Sequence, residues 1–342
     1  SWSTDDYHLV AAAAAPLSRS RSVAATQPSS LTDTTLARTR DNATDELGAP
    51  ILKVRFRGKA GETRLITGQL VAANATDRMY VSVAVACSGP GVPEGDAAGG
   101  GRNVWPGLRP VPVYGAMILD VTVSGTWTCE LAPFVCTPPE CNQGPDVGSL
   151  TYVNGTNRQQ SYLTVSGPLA AGSSSKGSPS GSTANLTGGA ILIQPGRSAS
   201  TQIVVKQVPT VPFTLELLQA LTNCIVPSSP DNCASATAMD DHASATITPS
   251  IVIAQKSTGT GRCTVVTATP SQGAKATTVS WLEHHAQLRI VVPEITLSTA
   301  KGCQPDVTVT LSASVASDGN AMTVERGLTP AVDTGYVLIY AP

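Results

Sequence analysis

Eight cysteines constrain this 342-residue chain more than any other feature. They fall four in each half, and none has the close CxxC or CxxH partner that a zinc site requires. An even number of cysteines without a metal pattern indicates a disulfide framework, which persists only in oxidising compartments. The sequence therefore predicts a secreted protein with no metal and no cofactor. Its disulfide-forming residues are Cys87, Cys129, Cys136, Cys141, Cys224, Cys233, Cys263 and Cys303.

Locality along the chain predicts how these cysteines pair, although each half allows three connectivities. Two short-range pairs flank proline-rich turns: Cys136 with Cys141, and Cys224 with Cys233. The remaining long-range pairs are then Cys87 with Cys129, and Cys263 with Cys303. The short-range pair comes second in the first half and first in the second half, which argues against a simple tandem duplication.

Composition favours an extracellular scaffold. Charged residues make up 13% of the chain, about half the share of a typical soluble domain. The net charge of -2 gives no field that would attract nucleic acid or an anionic membrane. No apolar stretch is long enough to span a bilayer, and the missing initial Met favours a mature form without its signal peptide, with a fragment of a longer chain as the alternative. We expect a secreted, cell-surface protein with no nucleic-acid partner and no membrane span.

Four N-x-T sequons favour a glycoprotein that carries covalent glycans. Each sequon lies in a segment whose composition is typical of a turn, a linker or an arm, where an oligosaccharide can be carried. The predicted attachment sites are Asn42, Asn74, Asn154 and Asn185.

The apolar runs divide the chain into four parts. Residues 1–48 are rich in Ser, Thr and Ala without apolar periodicity, which predicts an extended low-complexity arm held by a neighbouring subunit or by the second domain. Residues 49–168 and 190–342 alternate short β-branched runs with turn signals, as β domains do. Residues 169–189 are rich in Gly and Ser and predict a flexible linker. Helical spacing over 213–221 predicts a short helix.

Strand-like runs dominate, and no long helices separate them. This excludes a parallel βαβ architecture and favours antiparallel sandwiches. We predict an all-β chain of two tandem antiparallel Ig-like β-sandwich domains, each stapled by disulfides, with an extended N-terminal arm. Residues 88–110 form a Gly/Pro-rich segment too long for a simple hairpin, which favours a functional loop.

Two segments carry a family resemblance: TGQLVAANATDRMYVSVAVACSG at 67–89 and LDVTVSGTWTCEL at 119–131. They resemble the Ig-like repeats of large surface proteins, in which a strand ending in an N-x-T turn leads into a β-run closed by a cysteine. The Ser/Thr/Pro-rich, sequon-bearing texture is similar to that of algal extracellular fibre and cell-wall glycoproteins, mastigoneme proteins among them. The resemblance implies structural or adhesive work outside the cell and supplies no catalytic residues.

The histidines and carboxylates of the chain do not form a recognisable catalytic motif. The G-x-S-x-G nucleophile elbow does not occur, and Asp240, Asp241 and His242 fall in a turn-like stretch. His284 and His285 are adjacent, so on a strand they point to opposite faces and do not converge on one ion. The glutamates that a glycosidase would pair are dispersed. We predict no enzymatic activity and no catalytic residues.

A basic stripe is the first candidate binding feature. Lys53, Arg55, Arg57 and Lys59 alternate with apolar residues, so a strand here would bury the apolar set and display the cations. Such residues protect an edge strand against aggregation. The alternative is a contact for an acidic glycan or for the acidic face of another subunit.

Tryptophans provide the second candidate. Trp105 lies in the 88–110 segment and is a possible sugar-binding residue. Trp127 is close to Cys129, and we expect it to pack on a disulfide as core tryptophans do in Ig-like domains.

These features predict a secreted structural glycoprotein subunit. It would assemble with copies of itself, or with a larger extracellular structural protein, into a fibre, appendage or coat. One alternative is a monomeric adhesion or carbohydrate-binding module of the cell surface that uses residues 88–110. Another is a cell-wall-associated hydrolase accessory protein. Self-association would separate the first function from the second, and the third would require activity on glycans.

Overall fold

β-strands form the secondary structure of the part of the chain that the computed structural model describes. No helix occurs within these residues, so the all-β prediction is confirmed. The described residues are 23–26, 34–38, 52–73, 75–76, 79–136, 148–152, 161–176, 191–193, 195–223, 244–268, 277–280, 285–317, 322–325 and 335–342.

Each half of the chain supplies about the same set of strands. The first half contains β1 (Val23–Thr26), β2 (Thr34–Arg38), β3 (Leu52–Gly58), β4 (Thr63–Ala73), β5 (Met79–Gly89), β6 (Val92–Val104), β7 (Val111–Asp120), β8 (Gly125–Cys136), β9 (Gly148–Tyr152) and β10 (Tyr162–Pro168). The second half contains β11 (Ser174–Lys176), β12 (Ile191–Ile193), β13 (Ser198–Val205), β14 (Phe213–Asn223), β15 (Ser244–Ser257), β16 (Val265–Ala268), β17 (Thr277–Ser280), β18 (His285–Ile295), β19 (Cys303–Val315), β20 (Met322–Glu325) and β21 (Gly335–Tyr340).

The strands form two sheets in each half, and the pairings are antiparallel. Sheet 1A has the order β1-β10-β4-β9-β2, with β7 on the other edge of β4, and sheet 1B has the order β3-β8-β5-β6. Sheet 2A has the order β11-β21-β14-β20-β12, with β18 also on β14, and sheet 2B has the order β13-β19-β15-β16, with β17 also on β15. Each half is therefore an antiparallel sandwich, as predicted.

The second sandwich repeats the strand order of the first. In sheets 1A and 2A, β4 with β7, β9 and β10 corresponds to β14 with β18, β20 and β21. In sheets 1B and 2B, β3-β8-β5-β6 corresponds to β13-β19-β15-β16. The order of the cysteine pairs had argued against a duplication. That order depends on which loops carry a disulfide, however, and does not determine which strands pair.

The predicted arm contributes strands to the first sandwich. Within residues 1–48, β1 pairs with β10 and β2 pairs with β9, so both belong to sheet 1A. We had expected this segment to lie on a neighbouring subunit or on the second domain. The same positions in sheet 2A are occupied by β11 and β12. Backbone pairing orders a segment that has no apolar periodicity of its own.

The first part of the predicted linker also belongs to a sheet. The Leu169 N–H donates to the Thr63 carbonyl at 2.8 Å, and the next N–H, of Ala170, donates to the Ala341 carbonyl at 2.9 Å. Strand β11 follows and pairs with β21. Residues 169–176 therefore connect the sandwiches directly instead of acting as a flexible linker, while 177–189 lie outside the described residues.

The helix predicted over 213–221 is wrong, because this segment lies in β14. Phe213, Leu215 and Leu217 face the core of the second sandwich, whereas Leu218 faces the first sandwich. A strand buried on both faces lacks the usual alternation of apolar and polar residues. Its apolar residues then match a helical spacing by coincidence.

The long loop predicted over 88–110 is also wrong. Gly89 pairs with Val92, so a tight turn at Pro90 and Gly91 joins β5 to β6, and Gly91 adopts a φ of 71°. Glycine accepts this left-handed conformation without strain. The Gly/Pro composition marks a turn and a Gly-rich strand instead of a loop.

Both predicted long-range disulfides are confirmed. Cys87 and Cys129 lie directly opposite each other on β5 and β8, so this bridge joins two strands of one sheet. In an Ig domain the bridge joins the two sheets instead. Cys263 bonds to Cys303 at the start of β19. The side chains of the other four cysteines lie outside the described part of the chain.

Candidate functional surfaces

The two sandwiches meet through the outer faces of sheets 1A and 2A. A cluster of buried apolar residues fills this junction, and Tyr114, Leu169 and Tyr340 pack against it partly buried. The buried members are Leu65, Ala116, Ile118, Leu218 and Leu338. An apolar contact of this kind restrains the relative motion of two domains.

A buried ion pair lies beside this cluster. Glu216 on β14 is 1% exposed, and its Oε1 accepts a hydrogen bond from Nε of Arg289 on β18 at 2.8 Å. The Tyr340 hydroxyl donates to Oε2 of Glu216 at 3.4 Å, and the Arg289 guanidinium lies 4.6 Å from the ring centroid of Tyr114. A buried carboxylate is tolerated when it is paired and hydrogen-bonded, so Glu216 depends on Arg289.

Tyrosines around the ion pair stay protonated well above neutral pH. Burial raises the pKa of Tyr162 to about 12 and also raises the pKa of Tyr114. For Tyr340, burial is again the main cause of the raised pKa, and the nearby Glu216 carboxylate adds to it. These phenols therefore act as neutral packing groups around the ion pair, and the Tyr340 hydroxyl is also a hydrogen-bond donor to Glu216.

Polar contacts extend the junction to neighbouring strands. The Tyr114 N–H donates to Oε1 of Gln287 at 2.9 Å, and Nε2 of Gln287 donates back to the Tyr114 carbonyl at 3.1 Å. The Gln287 side-chain amide thus pairs with the backbone N–H and C=O of Tyr114 on β7, as an adjacent strand would. The His285 N–H donates to Oδ1 of Asn103, and the His285 ring meets Tyr80 edge-on at 5.0 Å.

Sequence reasoning did not identify this junction. The available signal was Glu216, a single carboxylate inside the apolar run FTLELLQAL. Charged residues are rarely buried without a partner, so this position could have indicated a buried ion pair. The partner Arg289 is far away in the sequence and could not have been named.

The basic stripe lies on the surface as predicted, at the edge of sheet 1B. In β3, burial alternates strictly, with Lys53, Arg55 and Arg57 exposed, and Lys59 just beyond the strand is also exposed. Nζ of Lys53 lies 2.6 Å from a carboxylate oxygen of Glu130 on β8. A binding role for these four residues remains a prediction.

The outer face of sheet 2B has a different chemistry. On this face, Lys256 of β15 and Asp306 of β19 form an ion pair at one end of the sheet, with Nζ 3.9 Å from Oδ2. The other described positions carry hydroxyl, amide or small apolar side chains, and we call them the hydroxyl face. They are Ser198, Ser200, Gln202 and Val204 on β13, Thr308, Thr310, Ser312 and Ser314 on β19, Thr248, Ser250, Val252 and Ala254 on β15, and Val265 and Thr267 on β16. Val204 and Val265 are 58% and 64% exposed.

The two tryptophan predictions have different outcomes. Trp127 is buried in the core that contains Cys87 and Cys129, as expected, and its indole N–H donates to the Val123 carbonyl at 2.9 Å. Trp105 is only partly buried and begins a turn that the Leu108 N–H closes at 3.1 Å on the Trp105 carbonyl. A role for Trp105 in binding remains a prediction.

Several predicted positions lie outside the described residues. They are the sequon residues Asn42, Asn74, Asn154 and Asn185, and the weighed cluster Asp240, Asp241, His242 and His284. Within the described ranges, no group of three or more His, Cys, Asp or Glu side chains could hold a metal ion. In those same ranges no helix reaches the length and hydrophobicity required to cross a membrane.

Comparisons with known proteins leave the chain without an assigned family. No family model matches it, and no curated protein matches its sequence. Among solved structures, the tandem CBM22 domains of a Paenibacillus barcinonensis protein cover 94% of this chain and 93% of their own, at 10% identity and a TM-score of 0.23. A candidate secreted protein of Parabacteroides distasonis covers 91% and 87%, at 9% identity and a TM-score of 0.19. Neither score supports a conclusion about fold or function.

Proposed function

We propose that the chain is an extracellular structural subunit that associates with copies of itself into a fibre, appendage or coat. The hydroxyl face of sheet 2B is the observation that carries this proposal. Charges on exposed strands keep copies of a protein apart, and the only charges on the strands of this face within the described residues are the mutually paired Lys256 and Asp306 at one end. Its hydroxyl and small side chains permit close packing and hydrogen bonds across a contact.

The junction and the disulfides support the same proposal. A subunit that builds an assembly needs a fixed relation between its two sandwiches. The apolar cluster and the contacts of Arg289 and Gln287 with Tyr114 of the first sandwich provide that relation. The bridges Cys87–Cys129 and Cys263–Cys303 fit an oxidising, extracellular setting.

Sedimentation velocity of the full chain with its native disulfides tests the proposal. We expect oligomers whose mass increases with protein concentration, and electron microscopy of the largest species should show a regular filament or sheet. A chain that remains monomeric at every concentration would contradict a structural role.

Carbohydrate binding at the cell surface is the second candidate function. The hydroxyl face supports it, because serine and threonine hydroxyls both donate and accept hydrogen bonds, as an uncharged polysaccharide does. Co-sedimentation with insoluble neutral polysaccharides tests it. Ser312→Lys on this face should lower binding, while Thr126→Lys on the outer face of sheet 1B should leave it unchanged. No observation on the described residues favours the hydrolase-accessory alternative.

A further inference from the structure

We propose that β13 is the strand through which two copies of this chain pair, antiparallel and edge to edge, about a twofold axis perpendicular to sheet 2B. The proposal rests on the proposed function, because it names one contact of the self-association; a twofold contact alone closes as a dimer, so a fibre or coat needs a further contact as well. The partner is therefore a second copy of this chain.

The first observation is that β13 lies at an edge. Its eight residues pair in unbroken register with β19, from Ser198 opposite Ser314 to Val205 opposite Val307. Among the described strands, none pairs with the other edge of β13. The backbone N–H and C=O groups on that edge need a partner, and a second strand provides one. At eight residues, β13 is also longer than the usual strand.

The second observation is that β13 has no charged residue to protect this edge. Residues 198–205 read SASTQIVV, and Val204 is 58% exposed. Long edge strands are normally protected by charged residues, by proline or by a bulge. None of these interrupts β13.

The third observation is the contrast with β3, which occupies the same place in the first sandwich. β3 pairs with β8 as β13 pairs with β19, but it displays Lys53, Arg55 and Arg57. In an antiparallel pair of two β3 strands whose outward residues share one face, Arg55 would oppose its own copy and Lys53 would oppose Arg57. Like charges directly opposite each other are destabilising. The chain therefore protects one of its two equivalent edges and leaves the other open.

Self-pairing of β13 opposes no like charges. With outward residues on one face, a register centred on Gln202 places Gln202 opposite its own copy and Ser200 opposite Val204. Lys206 then lies opposite Ser198, and Arg197 lies opposite Gln207. The paired edges would join two copies of sheet 2B into one continuous sheet and merge their hydroxyl faces.

Gln202→Lys tests the contact, because it would place two ammonium groups opposite each other on the twofold axis. We expect the association constant to fall at least about tenfold in sedimentation experiments, comparable to the effect of like charges at an interface. The matched control is Thr126→Lys, which adds the same charge at an exposed position on the outer face of sheet 1B, away from β13 and the hydroxyl face. This control should associate almost as the unmodified chain does.

Gln202→Cys gives an independent measurement. Opposed residues of an antiparallel pair have Cα atoms about 4.5–5.5 Å apart, which suits a disulfide. We expect a covalent dimer on mild oxidation, with Val265→Cys on β16 as the control that remains unlinked. Circular dichroism checks that each variant is folded.

The outcomes separate this inference from the proposed function. If the unmodified chain is monomeric, the structural role and the β13 contact both fail. If the chain assembles but Gln202→Lys assembles equally well and folded Gln202→Cys forms no covalent dimer, the β13 contact is overturned while the structural role stands. Weaker association together with a specific covalent dimer supports both.

Discussion

The two sandwiches share a strand order but differ in the chemistry of their outer B sheets. Sheet 1B ends in the cationic strand β3, whereas sheet 2B ends in the uncharged strand β13 and carries the hydroxyl face. Apolar inward residues hold each edge strand to its sandwich: Leu52, Val54 and Phe56 on β3, and Ala199, Ile203 and Val205 on β13. The comparison teaches that the inward residues specify one fold twice, while the outward residues are free to give each sandwich its own surface.

The disulfides show the same contrast between the sandwiches. Cys87–Cys129 joins opposed positions of β5 and β8, whereas Cys263, in the connection before β16, bonds to Cys303 at the start of β19; the sequence separations are 42 and 40. Cys87 and Cys129 are buried in the core, whereas Cys263 and Cys303 lie partly exposed at the end of the sheet. The two disulfides thus close loops of similar length, but one lies in the core of its sandwich and the other is partly exposed to solvent.

The largest effect is expected at the junction, where the two sandwiches meet. Arg289→Ala leaves Glu216 buried without its cation, and we expect a loss of about 3–5 kcal/mol in the free energy of unfolding. Urea denaturation measures it. Arg57→Ala on the exposed strand β3 is the control and should change stability by less than about 0.5 kcal/mol. Equal losses in both variants would show that Glu216 does not depend on the ion pair.

Removing the disulfides one at a time sharpens the comparison of the two sandwiches. Each double Cys→Ala variant should lose roughly 2–5 kcal/mol, and the chain-entropy contributions should be nearly equal because the closed loops have similar lengths. The variant lacking Cys87 and Cys129 should lose more, since it also leaves a small cavity in the core. Thermal denaturation of both variants measures the difference, and equal losses would exclude this packing contribution.

A smaller effect is expected where the sheets of the first sandwich approach closely. A Cβ at Gly68 would overlap Cδ1 of the buried Leu131 side chain, so Gly68→Ala should cost about 1–3 kcal/mol through overpacking. Gly259→Ala in the second sandwich is the matched control, because its nearest neighbour is an ordinary 3.4 Å away. Calorimetry that finds the two variants equally stable would contradict close packing at Gly68.

The smallest effect at neutral pH concerns the junction tyrosines, which should matter only in alkali. Unfolded tyrosines ionise near pH 10, whereas the pKa of Tyr162 is raised to about 12 and that of Tyr340 is also raised. Their stabilisation is complete below pH 10 and falls as the pH rises toward 12, because only the unfolded state then releases the protons. Melting temperatures across this range measure the loss, and Tyr340→Phe should reduce its steepness. An unchanged slope would indicate that Tyr340 is not protected at the junction.

Part of the fold could be predicted because it depends on local patterns. The alternation in β3, the long-range disulfides and the burial of Trp127 all follow from neighbouring residues. The helix and the long loop were mispredicted because β14 is buried on both faces and the glycines of 89–101 lie in a hairpin. In both cases, contacts with distant strands overrode the local signal.

The sequence by itself determined an all-β, disulfide-bridged chain with an exposed basic stripe, because strand periodicity, cysteine count and charge alternation are local properties. Only the tertiary structure decided that the second half repeats the strand order of the first, that Glu216 meets Arg289, and that β13 lies at an open edge. These features depend on which distant strands pair and on which sheet faces are covered. Burial and edge position arise only when separate parts of the chain come together, so no local pattern records them.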